Sequence, residues 1–129
     1  MSGNNCGDDF LSIVYHSLRA PRRRYVIELV AMSEEGVLSV RTLARKIAAQ
    51  EQGVSTDCAT GEPYRNVYNA LSQTHLSTLS NAEIIIYEPK RQTVTAGPNL
   101  TIARLLSNLN ETAYRTLEKK QTNDSDECL

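Results

Sequence analysis

The chain has 129 residues, 40% hydrophobic and 22% charged, which suits the core of one ordinary domain and argues against wholesale disorder. Seven aromatic residues without a tryptophan are too few for a base-stacking surface. The net charge is −1, yet residues 10–122 carry all 14 basic residues against 10 acidic ones, and this +4 middle suits a polyanionic partner.

The sequence shows no membrane or secretion signal. No apolar run reaches the roughly 18 residues of a membrane span, and the N-terminus lacks the basic and apolar segments of a signal peptide. Cys6, Cys58 and Cys128 are an odd number and form no disulfide framework. We therefore expect a cytoplasmic protein with no membrane partner.

The first two predicted helices meet at a proline. We expect a disordered tail over 1–7. Asp8 or Asp9 then caps a helix that ends near Ala20. Pro21 suits the first turn of the second helix. Helical spacing predicts one inward stripe on the first helix, formed by Leu11, Val14, Tyr15 and Leu18.

A short strand and two more helices follow. The strand covers 37–38, and Ser39 caps a third helix that runs to about Gln52. Small polar residues over 53–61 predict a loop, and Pro63 lies near the start of the fourth helix.

The rest of the chain predicts a hairpin and a long helix. Two β-rich runs flank the polar turn 88–92, and a helix occupies 98–120 before a disordered acidic tail over 121–129. The predicted fold is therefore mainly α with a small β-hairpin wing. It is a winged helix-turn-helix domain over 8–97 with a C-terminal helix.

One face of the fourth helix is polar without being acidic. Exposed helix faces usually carry Glu and Lys, whereas amide and hydroxyl side chains hydrogen-bond base edges in the major groove. An ordinary polar exterior is the alternative, and the hairpin that follows favours DNA reading. The predicted base-reading residues are Asn66, Asn69, Gln73 and Ser77. His75 lies on the opposite, apolar face, where we expect a hydrogen-bonded core histidine.

Basic residues form the second part of the predicted site. Arg22, Arg23 and Arg24 lie in the first turn of a helix, where the dipole disfavours positive charge, so another interaction should favour them. Phosphate contact is one candidate, and an acidic patch on a partner is another. The predicted phosphate contacts are Arg22, Arg23, Arg41, Arg45, Lys46, Arg65, Lys90 and Arg91.

The sequence contains no motif of an enzyme or a metal site. It has no CxxC or HExxH pattern, no Gly-rich phosphate loop and no GxSxG elbow. We therefore predict no catalytic residues, no metal and no cofactor.

The last helix predicts a homodimer. Its apolar stripe is longer than a domain of this size needs to cover its own core, although packing against the first helix of the same chain is the alternative. The predicted dimerisation residues are Ile102, Leu106, Leu109, Ala113 and Leu117.

Three segments resemble a known family. They are 21–26, 43–49 and 67–79, of which the last contains Gln-Thr-His-Leu-Ser-Thr-Leu. The chain is similar over roughly 8–97 to a haloarchaeal winged helix-turn-helix family of unknown function, regarded as ArsR-like transcriptional regulators. The family usually has a glycine, for a tight turn, where this chain has Glu83.

Two functions remain open. The basic clusters favour a sequence-specific, double-stranded DNA-binding transcriptional regulator that acts as a homodimer. The low net charge favours a winged-helix protein-interaction module without DNA binding, which would use its last helix and acidic tail on a protein partner.

Overall fold

Six α-helices and a three-stranded antiparallel sheet make up the computed structural model, which describes residues 6–121 and the side chains of 9–109, 115 and 116. In chain order the elements are α1 (Cys6–Ser17), α2 (Pro21–Ala31), β1 (Val37–Ser39), α3 (Val40–Gln52), α4 (Gly61–Ala70), α5 (Leu76–Asn81), β2 (Ile85–Glu88), β3 (Thr93–Ala96) and α6 (Leu100–Gln121). A 3-10 turn covers Thr56–Cys58, and a π-helical segment, Leu71–His75, joins α4 to α5. This mainly helical fold is compatible with a helix-turn-helix followed by a wing, as the sequence predicts.

Helix α1 is placed differently from the prediction. It begins at Cys6, before the expected aspartate caps, and it ends at Ser17 rather than near Ala20. Arginines of α2 donate to the carbonyl oxygens at this end. Arg23 Nε donates to the Ser17 oxygen at 2.8 Å, and Arg24 Nη1 donates to the Leu18 oxygen at 2.6 Å.

Only half of the predicted α1 stripe faces the core. Val14 and Leu18 are fully buried, whereas Leu11 and Tyr15 are largely exposed. Helix α1 therefore packs through a narrow line of side chains and leaves apolar surface open.

Helix α3 has the predicted ends. The Ser39 hydroxyl accepts a hydrogen bond from the Thr42 amide at 3.0 Å, which caps the N-terminus. Gly53 ends the helix in the left-handed conformation with a φ of 73°. In the loop that follows, Ala59 comes directly after the 3-10 turn, and its side chain is fully buried in the core.

Helices α4 and α5, with the π-helical segment between them, form one composite helix over Gly61–Asn81. In the π turn the Leu76 amide donates to the Leu71 oxygen five residues earlier. A regular α-helix would turn Leu76 about 140° away from Leu71. The π turn contains one residue more than an α turn, and this brings Leu76 back to the side of the helix on which Leu71 lies. Both leucines are fully buried.

The composite helix ends in a Schellman motif. The Ile84 amide donates to the Leu79 oxygen at 3.0 Å, and the Glu83 amide donates to the Ser80 oxygen at 2.9 Å. Glu83 takes the left-handed position with a φ of 61°. The tight turn expected there is present, but a glutamate adopts it in place of the usual glycine.

The sheet has the order β1-β3-β2, with β3 in the centre. The β2–β3 hairpin, residues 85–96, is called the wing below. Ile85 and Val94 bury their side chains against the helices, whereas Val37, Thr95 and Ile86 form one cross-strand row on the opposite face.

Helix α6 packs against α2 of its own chain. Ala103 is fully buried, and the Arg104 guanidinium forms a two-point ion pair with Glu28 at 3.1 and 3.3 Å. Within residues 6–121, no helix combines the length and apolar character needed to cross a membrane.

The start of α6 is fixed to the end of the composite helix. The Gly97 amide donates to the Ile84 oxygen at 2.9 Å, and the Asn99 amide and side chain donate to the Glu83 and Ala82 oxygens at 2.9 and 3.0 Å. A Cβ on Gly97 would lie 2.6 Å from the Glu83 oxygen, so only glycine fits this crossing.

Candidate nucleic-acid interface

The outward face of the composite helix carries the predicted base-reading residues. All four of them, Asn66, Asn69, Gln73 and Ser77, are exposed. Thr74 on the same helix is also exposed and was missed by the sequence analysis. No aspartate or glutamate occurs between Glu62 and Glu83, so the face offers amides and hydroxyls without a carboxylate that would repel phosphate.

The wing turn adds exposed cations. Lys90 and Arg91 lie between β2 and β3 with exposed side chains. Gln92, the last residue of the turn, is half-buried and adopts a φ of 55°.

Hydrogen bonds to Gln92 join the wing turn to two helices. The Val40 amide, at the start of α3, donates to the Gln92 backbone oxygen at 2.9 Å. The Tyr68 hydroxyl of the composite helix donates to Gln92 Oε1 at 2.6 Å. Arg41 and Arg91, the neighbours of these bonded residues along the chain, therefore lie near the same junction, and both are exposed.

Aromatic side chains of α4 lie beside a basic side chain of α3. The Arg45 guanidinium carbon lies 5.8 Å from the centroid of the Tyr64 ring, within range of a cation–π interaction. The Tyr64 and Tyr68 ring centroids are 6.0 Å apart. Arg45 is half-buried, and its Nε atom is buried without a hydrogen-bond partner among the described residues. Of the other predicted cations, Arg65 is exposed and Lys46 is half-buried.

Both Arg22 and Arg23 bind other groups of the protein, Arg22 at the surface and Arg23 in the interior. Arg22 pairs with Glu51 through two hydrogen bonds of 2.7 and 2.9 Å, and this carboxylate raises the arginine pKa further above its usual value. Arg23 is buried with 8% of its surface exposed. Besides Ser17, it donates to the His16 oxygen at 3.3 Å. The predicted phosphate role of Arg23 requires an exposed side chain, and the fold uses this residue to cap α1 instead.

His75 has the hydrogen-bonded, partly buried environment expected from the sequence. Its Nδ1 atom lies 3.4 Å from Arg23 Nη1, and because a guanidinium can only donate, the ring nitrogen accepts. Burial lowers the pKa of His75 below its usual value, and the positive charges of Arg23 and Arg22 lower it further.

The predicted dimerisation residues divide into three groups. Ile102 and Leu109 are exposed, the latter with 68% of its surface, whereas Leu106 is half-buried against the core of its own chain. Ala113 and Leu117 lie outside the described side chains. Leu105, which the prediction omitted, is 60% exposed. The i, i+3, i+7 spacing of Ile102, Leu105 and Leu109 places all three on one outward stripe of α6.

The described part of the chain contains no cluster of side chains that could bind a metal ion. Within it, no three His, Cys, Asp or Glu side chains lie close enough together to hold a metal ion. Cys58 is exposed and has a free thiol, with the Ser55 hydroxyl 3.4 Å from its sulfur.

A protein-family model matches most of the described chain. The model described as "Domain of unknown function (DUF7344)" matches residues 15–95, which extend from the end of α1 into β3. No match is found among curated proteins or among solved structures.

Proposed function

The chain belongs to the DUF7344 family of domains of unknown function, and from its geometry we propose that it is a homodimeric transcriptional regulator that binds double-stranded DNA sequence-specifically. The observation that carries the proposal is the carboxylate-free face of the composite helix, Asn66 to Ser77, next to an exposed basic wing turn. A helix of this kind docks in the major groove while a wing contacts the backbone.

The proposed contacts fall into two kinds. Asn66, Asn69, Gln73 and Ser77 read base edges, since asparagine and glutamine pair with adenine through two hydrogen bonds. The exposed cations Arg41, Arg65, Lys90 and Arg91 contact phosphates and fix the register, with Arg45 and Lys46 as half-buried neighbours. Arg23 is left out because its side chain is buried and bonded to α1, and Arg22 because the Glu51 carboxylate neutralises its charge.

The resemblance of segments 21–26, 43–49 and 67–79 to a haloarchaeal family regarded as ArsR-like regulators supports the same proposal. So does the exposed stripe of α6, because a homodimer presents two copies of the reading face to two half-sites and multiplies a modest single-site affinity. As a regulator of genes, the protein would act in the cytoplasm.

A salt titration of duplex binding tests the proposal. Duplexes selected from a random pool should bind with an affinity that falls linearly in a plot of log K against log salt, because phosphate neutralisation releases counterions. Arg91→Ala should reduce the slope by about 0.9. Arg19→Ala, which removes an exposed arginine outside the proposed contacts, is the matched control and should leave the slope unchanged. Absence of duplex affinity at low salt would contradict the proposal.

A second comparison separates base reading from phosphate contact. Gln73→Ala should weaken binding to the selected sequence by about 1–3 kcal/mol and leave binding to random duplex unchanged. Arg91→Ala should weaken both by similar factors. If the two variants act alike, the assignment of Gln73 to base reading is wrong.

A protein-interaction module without DNA binding is the second candidate. It is favoured by the burial of Arg23 and the ion pair of Arg22 with Glu51, which reduce the positive charge available at the surface, and by the exposed stripe of α6. This candidate predicts no duplex affinity at any salt concentration, so the titration decides between the two.

A further inference from the structure

Gln92 makes hydrogen bonds to three separate parts of the molecule. Its side chain bonds Tyr68 of the composite helix, and its backbone oxygen accepts from Val40 at the start of α3. Within the wing, its backbone amide donates to the Glu88 oxygen at 2.8 Å. Gln92 directly follows the exposed cations Lys90 and Arg91.

The orientation of the Gln92 amide group is determined by its surroundings. The Pro89 carbonyl oxygen, 2.8 Å away, can only accept, so the amide nitrogen Nε2 faces it. The same nitrogen donates to the Tyr87 hydroxyl at 3.2 Å. The carbonyl Oε1 therefore faces the composite helix, and the Tyr68 hydroxyl must be the donor of the 2.6 Å bond.

The Tyr68 bond crosses between elements that are distant along the chain. Tyr68 and Gln92 are 24 positions apart, and both side chains are half-buried, so water competes only partly for the bond. It ties the turn that carries Lys90 and Arg91 to the helix that carries the reading face. Without it, the side chain of Gln92 bonds only within the wing.

We propose that Gln92 and the Tyr68 hydroxyl are positioning residues, which hold the wing cations Lys90 and Arg91 at a fixed place relative to the face that reads bases. The role of the cations rests on the proposed function, whereas the link itself is a property of the free protein. Tyr68 and Gln92 act through the orientation of the turn and contact no base themselves.

The free protein gives the first test. Tyr68→Phe removes one hydroxyl and keeps the ring, and it should increase fast backbone motion at Lys90 and Arg91, measured by the heteronuclear ¹⁵N NOE. Tyr64→Phe is the matched control, because it makes the same change one turn earlier on the same helix, and it should leave both residues unchanged. Unchanged values in Tyr68→Phe would overturn the positioning role.

The salt slope of duplex binding gives the second test. Lys90→Ala with Arg91→Ala should reduce the slope by about 1.8, since each phosphate contact contributes about 0.9. Tyr68→Phe should remove a large share of the same 1.8, although no charge changes, and Tyr64→Phe should remove none. Added to the double alanine variant, Tyr68→Phe should have no further effect on the slope.

The outcomes separate the inference from the function on which it rests. If Tyr68→Phe lowers thermal stability but keeps the wild-type slope, Tyr68 is merely structural and the inference fails while the proposed function stands. If the wild-type protein binds no duplex, the proposed function fails. The ¹⁵N data then decide alone whether the link holds the turn.

Discussion

Arg23 joins three helices through one guanidinium group. From the first turn of α2 it donates to two carbonyl oxygens at the end of α1 and contacts His75 in the π-helical segment. The start of a helix disfavours a cation, but the carbonyl end of α1 favours one. The sequence predicts that another interaction favours the arginines at this helix start, and for Arg23 that interaction is the contact with the end of α1.

Burial of His75, together with the nearby charges of Arg23 and Arg22, makes stability depend on the protonation of this histidine. The folded protein holds the pKa of His75 below the ordinary value of 6.5, so between these two pKa values the unfolded chain binds more protons than the folded protein. Stability is therefore expected to fall as pH decreases from about 7 through 6.5 and below.

Thermal unfolding measured at pH 7.5 and at pH 5.5 checks this expectation. His75→Gln keeps an acceptor for Arg23 and removes the titration, so its melting temperature should fall less between the two pH values. Equal decreases in wild type and His75→Gln would show that the histidine does not contribute.

Glu83 occupies a backbone position that favours glycine. Its φ of 61° costs a residue with a Cβ about 1–2 kcal/mol, whereas glycine loses about 0.5–1 kcal/mol of unfolded-state entropy. Glu83→Gly should therefore raise the free energy of unfolding by about 0.5–1 kcal/mol, measured by urea denaturation. Glu83→Ala removes the charge and keeps the Cβ, so it should give no comparable gain. An equal gain in both variants would assign the effect to charge at the helix end.

At the scale of elements, local sequence patterns predicted most of the fold. They predicted the ends of α3, the start of α2 at Pro21, the hairpin and the exposed polar face of the composite helix. These features depend on neighbours within a few residues. They are therefore visible as caps, breakers and apolar spacing.

Contacts between distant segments were not visible in the sequence. The burial of Leu76 depends on a π turn that regular spacing does not predict, and the Tyr68–Gln92 bond joins residues without a shared motif. Arg23 looked like a surface cation because the carbonyls it caps belong to another helix. Whether such residues are exposed depends on packing between distant segments, and composition and local sequence pattern do not show that packing.

Gly97 lies where the chain between β3 and α6 passes close to the end of the composite helix, and the packing there gives a testable prediction. A Cβ there would lie under 3.0 Å from three backbone atoms of residues 83–85, so the chain must shift to admit it. Gly97→Ala should lower the free energy of unfolding by about 2–3 kcal/mol. Gly36→Ala, where the space is open but φ is 82°, should cost only about 1 kcal/mol. Similar costs in the two variants would contradict the packing argument.

At the scale of the molecule, polar and apolar exposed surfaces lie on different helices. The composite helix carries neutral polar residues beside the basic wing turn, whereas α6 exposes Ile102, Leu105 and Leu109. One surface can therefore meet a polyanion while the other is covered by a second copy of the chain.

The proposed homodimer is tested on the exposed stripe of α6. Leu105→Asp with Leu109→Asp places charges on side chains that are 60% and 68% exposed, so the monomer should fold while the dimer is lost. Multi-angle light scattering should report half the wild-type mass. Met32→Asp, at a side chain that is 67% exposed outside α6, should keep the dimer mass. An unchanged mass in the double variant would refute this interface.

The backbone bonds of Gly97 and Asn99, with the side-chain bond of Asn99, join the end of the composite helix closely to the start of α6. In a dimer joined through α6, each composite helix would hold a fixed position relative to the symmetry axis, because no flexible linker separates it from α6. Such a protein would tolerate no change in the number of base pairs between its half-sites. Inserting two base pairs at the centre of an operator would rotate one half-site by about a fifth of a turn, and binding would fall to that of a single half-site.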